Sequence, residues 1–331
     1  MIPSLFRSIL CLVSIFRMFF RHCVGAVITK PSMEPRIIGC PRRHLGPFLR
    51  RRISVVFVCL ITTLASPNAL GLEGVKWLAG SAVEGGMIIG QLPAGSSLTL
   101  NSEIIAADKN GIFILGFHRD SDTPAILSLT GPDGRSANTT LPVQQRAYKI
   151  QRIDGLKSNH VTPPQSRIDR INRDAAAVRA ARTDHDAGAY SGDFIRGFDM
   201  PVTGQITGVY GSQRILNGAP RQPHYGIDIA APRGTPIIAP AGGRVTFVGD
   251  LYFSGWTVLI THGLGLNSTF LHMEKTNVAK GDLIPRGTVI GTVGSTGRST
   301  GPHLDWRLDW QGRRLDASLV RTQIAEFAKN N

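Results

Sequence analysis

Cysteine is absent after residue 59: Cys11, Cys23, Cys40 and Cys59 are the four in the chain. Disulfide staples and thiolate metal ligands are thereby excluded from everything downstream, and a metal there must rest on imidazole and carboxylate. Acids are scarce at the start. Residues 1–69 hold ten Lys/Arg and a single acid, Glu34, so +9 of the net +14 lies there and only +5 belongs to residues 70–331. That placement removes the case for nucleic-acid binding, which the total charge alone would raise. No internal repeat or low-complexity tract is present. Hydrophobic residues make up 42% of the 331, ordinary for a globular protein, and the 37 glycines and 20 prolines favour short strands joined by turns.

The basic start reads as an export leader. Arg50-Arg51-Arg52 is followed by the apolar run from Ile53 to Ala65 and by Ser66-Pro67-Asn68-Ala69. A positive region, about a dozen apolar residues and a small-residue end form the secretory pattern. The run falls short of the roughly 20 residues of a membrane span, with a retained N-terminal anchor as the alternative. The stretch from Met1 to Thr29 is broken by Arg17, Arg21 and His22, and a start at Met33 would give a signal of ordinary length. The general secretory route fits better than the twin-arginine one. Cys59 lies inside the apolar run and does not read as a lipidation site. The expected location is the periplasm or cell envelope.

The remainder divides in three. Residues 70–150 alternate apolar runs such as Ile112–Leu115 and Ala125–Leu129 with turn signals at Gly85-Gly86, Asp108 to Gly111 and Gly131 to Gly134, the pattern of a small β-sandwich. Residues 151–197 are a linker, with a helix rich in Ala, Arg and Asp from Ser166 to about Arg182 that is expected to be solvated. Residues 198–331 return to dense turns and alternating strands. The fold class is therefore mainly β: an N-terminal sandwich-like unit, a helical linker and a C-terminal antiparallel sheet.

Chemistry concentrates in the third part. In His303-Leu-Asp-Trp-Arg-Leu-Asp-Trp310, strand alternation sends Leu304, Trp306, Leu308 and Trp310 to one face and His303, Asp305, Arg307 and Asp309 to the other. In Pro223-His224-Tyr-Gly-Ile-Asp228 the proline, Gly226 and the following Pro232-Arg-Gly234 argue against helix. His224, Gly226 and Asp228 then share a strand face, with glycine leaving room between two ligand-sized side chains. Trp256–His262 and Ser268–His272 form two strands joined at Gly263-Leu-Gly265. Together His224, Asp228, His272, His303 and Asp305 make a set of imidazoles and carboxylates on short strands. Catalytic zinc takes three such ligands and leaves a position for water, while nearby imidazoles handle protons. The glycine-rich stretch from Gly294 to Gly301 precedes no helix and lacks the phosphate-loop lysine, so nucleotide binding is not implied. Val278 to Gly287 has the pattern of a biotinyl-type hairpin without a carrier lysine, and His262 reads as structural.

Residues 200–310 resemble the M23 (lysostaphin/LytM-like) peptidoglycan endopeptidases. The matching stretches are Tyr210–Arg214, His224–Asp228, Gly234–Pro240 with Gly243–Val245, Leu271-His272, Gly281 to Gly291, and Gly294–His303. The resemblance implies a groove-shaped antiparallel sheet holding one Zn2+. It implies His224 and Asp228 as metal ligands, and His272 and His303 as catalytic histidines that do not bind the metal. The third ligand position is held by Asp305, where the family usually has histidine. Aspartate binds zinc at about 2.0–2.2 Å, but its side chain is shorter and a second carboxylate makes the metal less electrophilic. Two readings follow. One is a zinc endopeptidase cutting peptide bonds of peptidoglycan during cell-wall remodelling or separation. The other is a metal-free module that binds wall, or that regulates a cell-wall amidase or acts with cell-division partners.

Overall fold

The computed structural model describes residues 72–330, apart from 122 and 157. The expected leader, with its signal and Met33 start, lies outside the described residues. Among the described residues no helix is long and apolar enough to cross a membrane.

Two antiparallel sheets form the N-terminal unit. Lys76–Gly80, Met87–Gln91 and Ile112–Gly116 make one, while Glu103–Ile105, Ser97–Leu100, Ala125–Thr130 and Ser136–Leu141 make the other. Alternation carries Leu98, Leu100, Leu127 and Leu129 inward together with Ile89, Phe113 and Leu115, all buried. The unit is joined tightly to the C-terminal part of the chain. A side chain at Gly116 would run into the ring of Trp310 and into Leu315. Both terminal nitrogens of Arg146 donate to Asp316 Oδ2 at 3.0 Å. Tyr210 Oη donates to the carbonyl of Arg314 (2.7 Å) and accepts from the N–H of Arg119 (3.0 Å).

The C-terminal sheet is ten-stranded. Its main path runs Leu283–Ile284, Gly243–Leu251, Gly255–Gly263, Leu266–Thr276, His303–Trp310, Ile227–Ala230 and Gln205–Gly208, and all these neighbours are antiparallel. Leu304, Trp306, Leu308 and Trp310 lie on the packed face as alternation requires, and the two tryptophan indoles are satisfied by Ser268 Oγ and the Leu264 carbonyl. Burying these side chains contributes on the order of 2 kcal/mol each.

The linker is more structured than its composition suggests. Ile150–Ile153 pairs in parallel with Gln213–Leu216, adding a strand before the helix. The helix Ile168–Arg182 is solvated on one side only. Arg170 Nη2 lies 3.0 Å from Asp250 Oδ2, Asp174 accepts from the N–H of Tyr252 (2.7 Å), and Arg182 Nε lies 2.9 Å from the buried Asp309 carboxylate. The inward contact of Arg182 has a simple cause: Asp309 sits on the polar face of its strand, and a fully buried carboxylate needs a cation brought to it.

His262 is structural as expected. Its Nδ1 lies 2.9 Å from the Gly242 carbonyl, its Nε2 2.8 Å from Ser268 Oγ, and its ring stands edge-on to Phe198. Full burial pushes its pKa down to about 4, against the smaller raising effects of the Gly242 bond and Asp193 and with a small further lowering by Arg286. The unfolded chain titrates near 6.5, so the neutral imidazole's contribution is full above about pH 6.5 and is lost as pH falls toward 4. Stability by urea unfolding should drop between pH 7 and pH 4.5, and His262→Gln should reduce that drop by about 2–3 kcal/mol. An identical drop in the variant would place the proton elsewhere.

Candidate active site and metal centre

Asp228 and Asp305 are directly opposite each other across the antiparallel pair Ile227–Ala230 and His303–Trp310. His224 stands just before its strand rather than in it, which corrects the shared-strand expectation. Backbone bonds from His224 N–H to the Ser212 carbonyl (2.9 Å) and from Gly211 N–H to the His224 carbonyl (2.7 Å) hold it extended instead. The imidazole still reaches both carboxylates: His224 Nε2 lies 3.0 Å from Asp228 Oδ1 and 3.4 Å from Asp305 Oδ2. Two glycines make the space. A Cβ at Gly226 would overlap Asp305 Oδ1, and one at Gly208 would overlap Asp228 Oδ2.

His224, Asp228 and Asp305 thus converge as one donor group. The short distance between His224 Nε2 and Asp228 Oδ1 is not aligned as a hydrogen bond, and both atoms are buried without any other hydrogen-bond partner. A buried imidazole nitrogen and carboxylate oxygen this close, with no aligned hydrogen bond between them, suit a shared cation. Ligands about 2.0–2.2 Å from a tetrahedral zinc stand roughly 3.4 Å apart, close to the 3.0 and 3.4 Å between these atoms. The donor set therefore fits zinc.

Each carboxylate also carries a guanidinium. Arg214 Nη2 lies 3.1 Å from Asp228 Oδ2, leaving Oδ1 turned toward His224. Arg307 grips Asp305 from Nε (3.0 and 3.1 Å) and from Nη2 (2.6 Å). Burial opposes ionisation of Asp305, but Arg307 and His224 hold it well below the usual carboxylate range. Burial likewise lowers the His224 pKa, and Asp305 and Asp228 outweigh it so that the net shift is upward. A carboxylate has about four acceptor positions, so an arginine on one side leaves others for a metal.

His272 and His303 lie beside this group with ring centroids 4.9 Å apart. His272 Nδ1 donates to the Thr296 carbonyl (2.8 Å), and His303 Nδ1 donates to that of Gly301 (2.8 Å) with Ser299 Oγ 3.2 Å away. Both Nε2 atoms are then unprotonated in the neutral rings, and that of His303 lies 3.8 Å from Asp228 Oδ1. Burial pushes the His272 pKa down to about 4. Its backbone is left-handed, φ 63°, a conformation that costs a non-glycine residue on the order of 1 kcal/mol and is held by the bond from its N–H to the Ser254 carbonyl (2.8 Å). All five expected residues are brought together. Arg214 and Arg307 were missed as site residues, although the Asp305-x-Arg307 spacing on one strand face was a usable signal.

Residues 222–317 match peptidase family M23. Among curated relatives, DD-carboxypeptidase/endopeptidase Mpg of Neisseria meningitidis serogroup B is 46% identical over 106 residues, 32% of this chain and 24% of that protein. Peptidoglycan DD-endopeptidase ShyB of Vibrio cholerae is 36% identical over 131 residues, 40% of this chain and 27% of that protein. The chain thus spans about a quarter of the length of these relatives. A solved structure of a putative peptidase M23 from Pseudomonas aeruginosa aligns with a TM-score of 0.56 at 28% identity, covering 72% of this chain and 94% of that one. That coverage exceeds residues 222–317, so the likeness extends beyond the segment the family itself matches. Residues 222–317 of this chain thus carry a peptidase M23 domain.

Proposed function

We propose that the protein is an exported zinc endopeptidase that cleaves peptide bonds of bacterial peptidoglycan. The observation that carries this reading is the convergence of the His224 imidazole on the Asp228 and Asp305 carboxylates, beside two histidines whose Nε2 atoms are left bare. His224, Asp228 and Asp305 would hold the metal, and zinc so held supplies a Lewis acid that brings the pKa of water toward ~7. His303, fixed through Nδ1 by the Gly301 carbonyl, presents Nε2 on the same side as Asp228 and is placed to accept a proton from water and return it to the leaving amine. His272, fixed by the Thr296 carbonyl and kept neutral by burial, is placed to orient the reacting groups and steady developing charge. Arg214 and Arg307 keep the two carboxylates from repelling each other out of register.

Two experiments test this. Purified residues 70–331 should carry one zinc per chain and release muropeptides from isolated wall. His303→Ala should keep the zinc and lose about 10²–10⁴-fold in rate. Protein that takes up no zinc yet still binds wall, or that stimulates a separate amidase without cutting, would favour the non-enzymatic module.

The second uses Arg307. Arg307→Ala should destabilise the zinc-free protein by about 3 kcal/mol, because it strands a buried carboxylate. Zinc should then raise the melting temperature of the variant more than that of the parent, since the ion replaces the lost positive charge next to Asp305. Equal zinc-induced shifts in the two proteins would remove Asp305 from the ligand set.

A further inference from the structure

Arg119 reaches from the N-terminal unit to the backbone that aims His224. It lies in the turn after the strand Ile112–Gly116. Its Nε donates to the Gly211 carbonyl (2.8 Å), and the Gly211 N–H in turn donates to the His224 carbonyl (2.7 Å). The next residue completes the hold, because the His224 N–H donates to the Ser212 carbonyl (2.9 Å). The peptide that Arg119 grips therefore lies between the two groups that fix both backbone polar groups of His224.

Both sides of this contact are shaped for it. The Arg119 side chain is only 14% exposed, its guanidinium lies over the Tyr148 ring at 4.4 Å, and Nη1 donates to the Asp120 carboxylate at 2.6 Å. Stacking and the ion pair set the orientation of the planar guanidinium, so little further freedom is lost in holding the carbonyl. The turn itself is pinned. The Gly85 N–H donates to the Phe117 carbonyl (2.8 Å), the Phe117 N–H to the Gly86 carbonyl (3.0 Å), and the Asp120 N–H to the buried Glu84 carboxylate (3.1 Å). On the receiving side Gly211 has φ 83°, and a Cβ there would overlap the Tyr148 ring, so conformation and space both require glycine. His118 packs against Tyr225, the residue after His224, with ring centroids 5.3 Å apart.

We infer from this chain of contacts that Arg119 is a positioning residue for the candidate metal ligand His224, acting through the Gly211 carbonyl. The inference rests on the zinc reading of the site and extends it to a residue outside the family-matched segment 222–317. The physical reason lies in the ligand set. Asp228 and Asp305 are fixed by a strand ladder, whereas His224 precedes its strand and is not. The direction of its imidazole is set by the backbone at residues 211–212, where a displacement of about 0.5 Å is enough to spoil a metal site. A hydrogen bond from a charged donor is the stronger kind, and its removal frees residues 211–212 to relax away from His224.

Zinc titration against a competing chromophoric chelator tests this, on the full chain and at a temperature where circular dichroism shows each variant folded. Arg119→Met keeps an apolar stem over Tyr148 but removes the donor. It should weaken zinc binding about tenfold, as loss of a group that holds a metal ligand in place typically does. Arg119→Lys keeps the charge and one donor and should lose about threefold. Leu127→Val trims the core of the same unit, in a strand that makes none of these contacts, and should bind zinc as the parent does. Amide hydrogen exchange of the metal-free protein adds a reading that does not need zinc. In Arg119→Met the N–H groups of Gly211 and His224 should exchange about tenfold faster relative to the strand His303–Trp310, and in Leu127→Val they should not. Parent-like zinc affinity in whichever arginine variants fold, or an equal loss in Leu127→Val, overturns the inference. A parent that takes up no zinc removes the zinc reading, and exchange then decides: selective acceleration at those two N–H groups keeps Arg119 as the residue that positions His224, and uniform rates reject it.

Discussion

Two aspartates facing each other across an antiparallel pair are the constraint around which the site is arranged. Asp228 and Asp305 are register partners on adjacent strands, the placement in which like charges are most destabilising. Both are buried, so water cannot screen them. Three cationic or potentially cationic groups resolve this: Arg214 on Asp228, Arg307 on Asp305, and His224 between the two. Gly208 and Gly226 leave the space in which the carboxylates lie. Everything about ligand geometry follows from holding that pair in register.

The surrounding architecture serves the same strand. His303–Trp310 carries His303, the third candidate ligand, its arginine and a buried Asp309 on one face, and four fully packed apolar side chains on the other. The N-terminal sheets bear on its far end at Trp310 through Gly116, while the helix Ile168–Arg182 reaches Asp309 through Arg182. A strand clamped at that end and on both faces presents Asp305 and His303 on a rigid support, as a site that depends on sub-ångström placement requires. The parts of the chain outside the family-matched segment are thus integral to the positioning of the site.

Much of this was legible in the sequence. The period-two pattern of residues 303–310 sorted the packed face from the polar face, and the five candidate residues were identifiable from their motifs and from the resemblance those motifs carry. Tertiary pairing was not legible. His224 belongs to an extended approach held by Ser212 and Gly211, a contact between segments that spacing cannot predict. The helix at 168–182 has the composition of a solvated element, yet Asp309 draws Arg182 inward, an effect visible only once the two are known to be neighbours. Gly208 offers no sequence signal that its missing side chain is space for Asp228.

Aspartate at the candidate third ligand position is best understood as one of a pair of residues. A histidine there would be neutral and would leave Asp228 as the only ligand carboxylate. Aspartate adds a buried negative charge, and the next residue on the same strand face, Arg307, neutralises it with a forked contact. The two together restore the charge of the neutral ligand while keeping an oxygen donor, so Asp305 is intelligible only with Arg307. The exchange has a further consequence. A guanidinium placed to neutralise Asp305 also faces the cavity between the sheet and the helix Ile168–Arg182, as Arg214 does for Asp228 and as Arg182 and Arg314 do for Asp309. Neutralising buried acids from that side lines the surface with arginine, and so the charge balance of the candidate metal centre and the make-up of the neighbouring cavity wall have one physical origin.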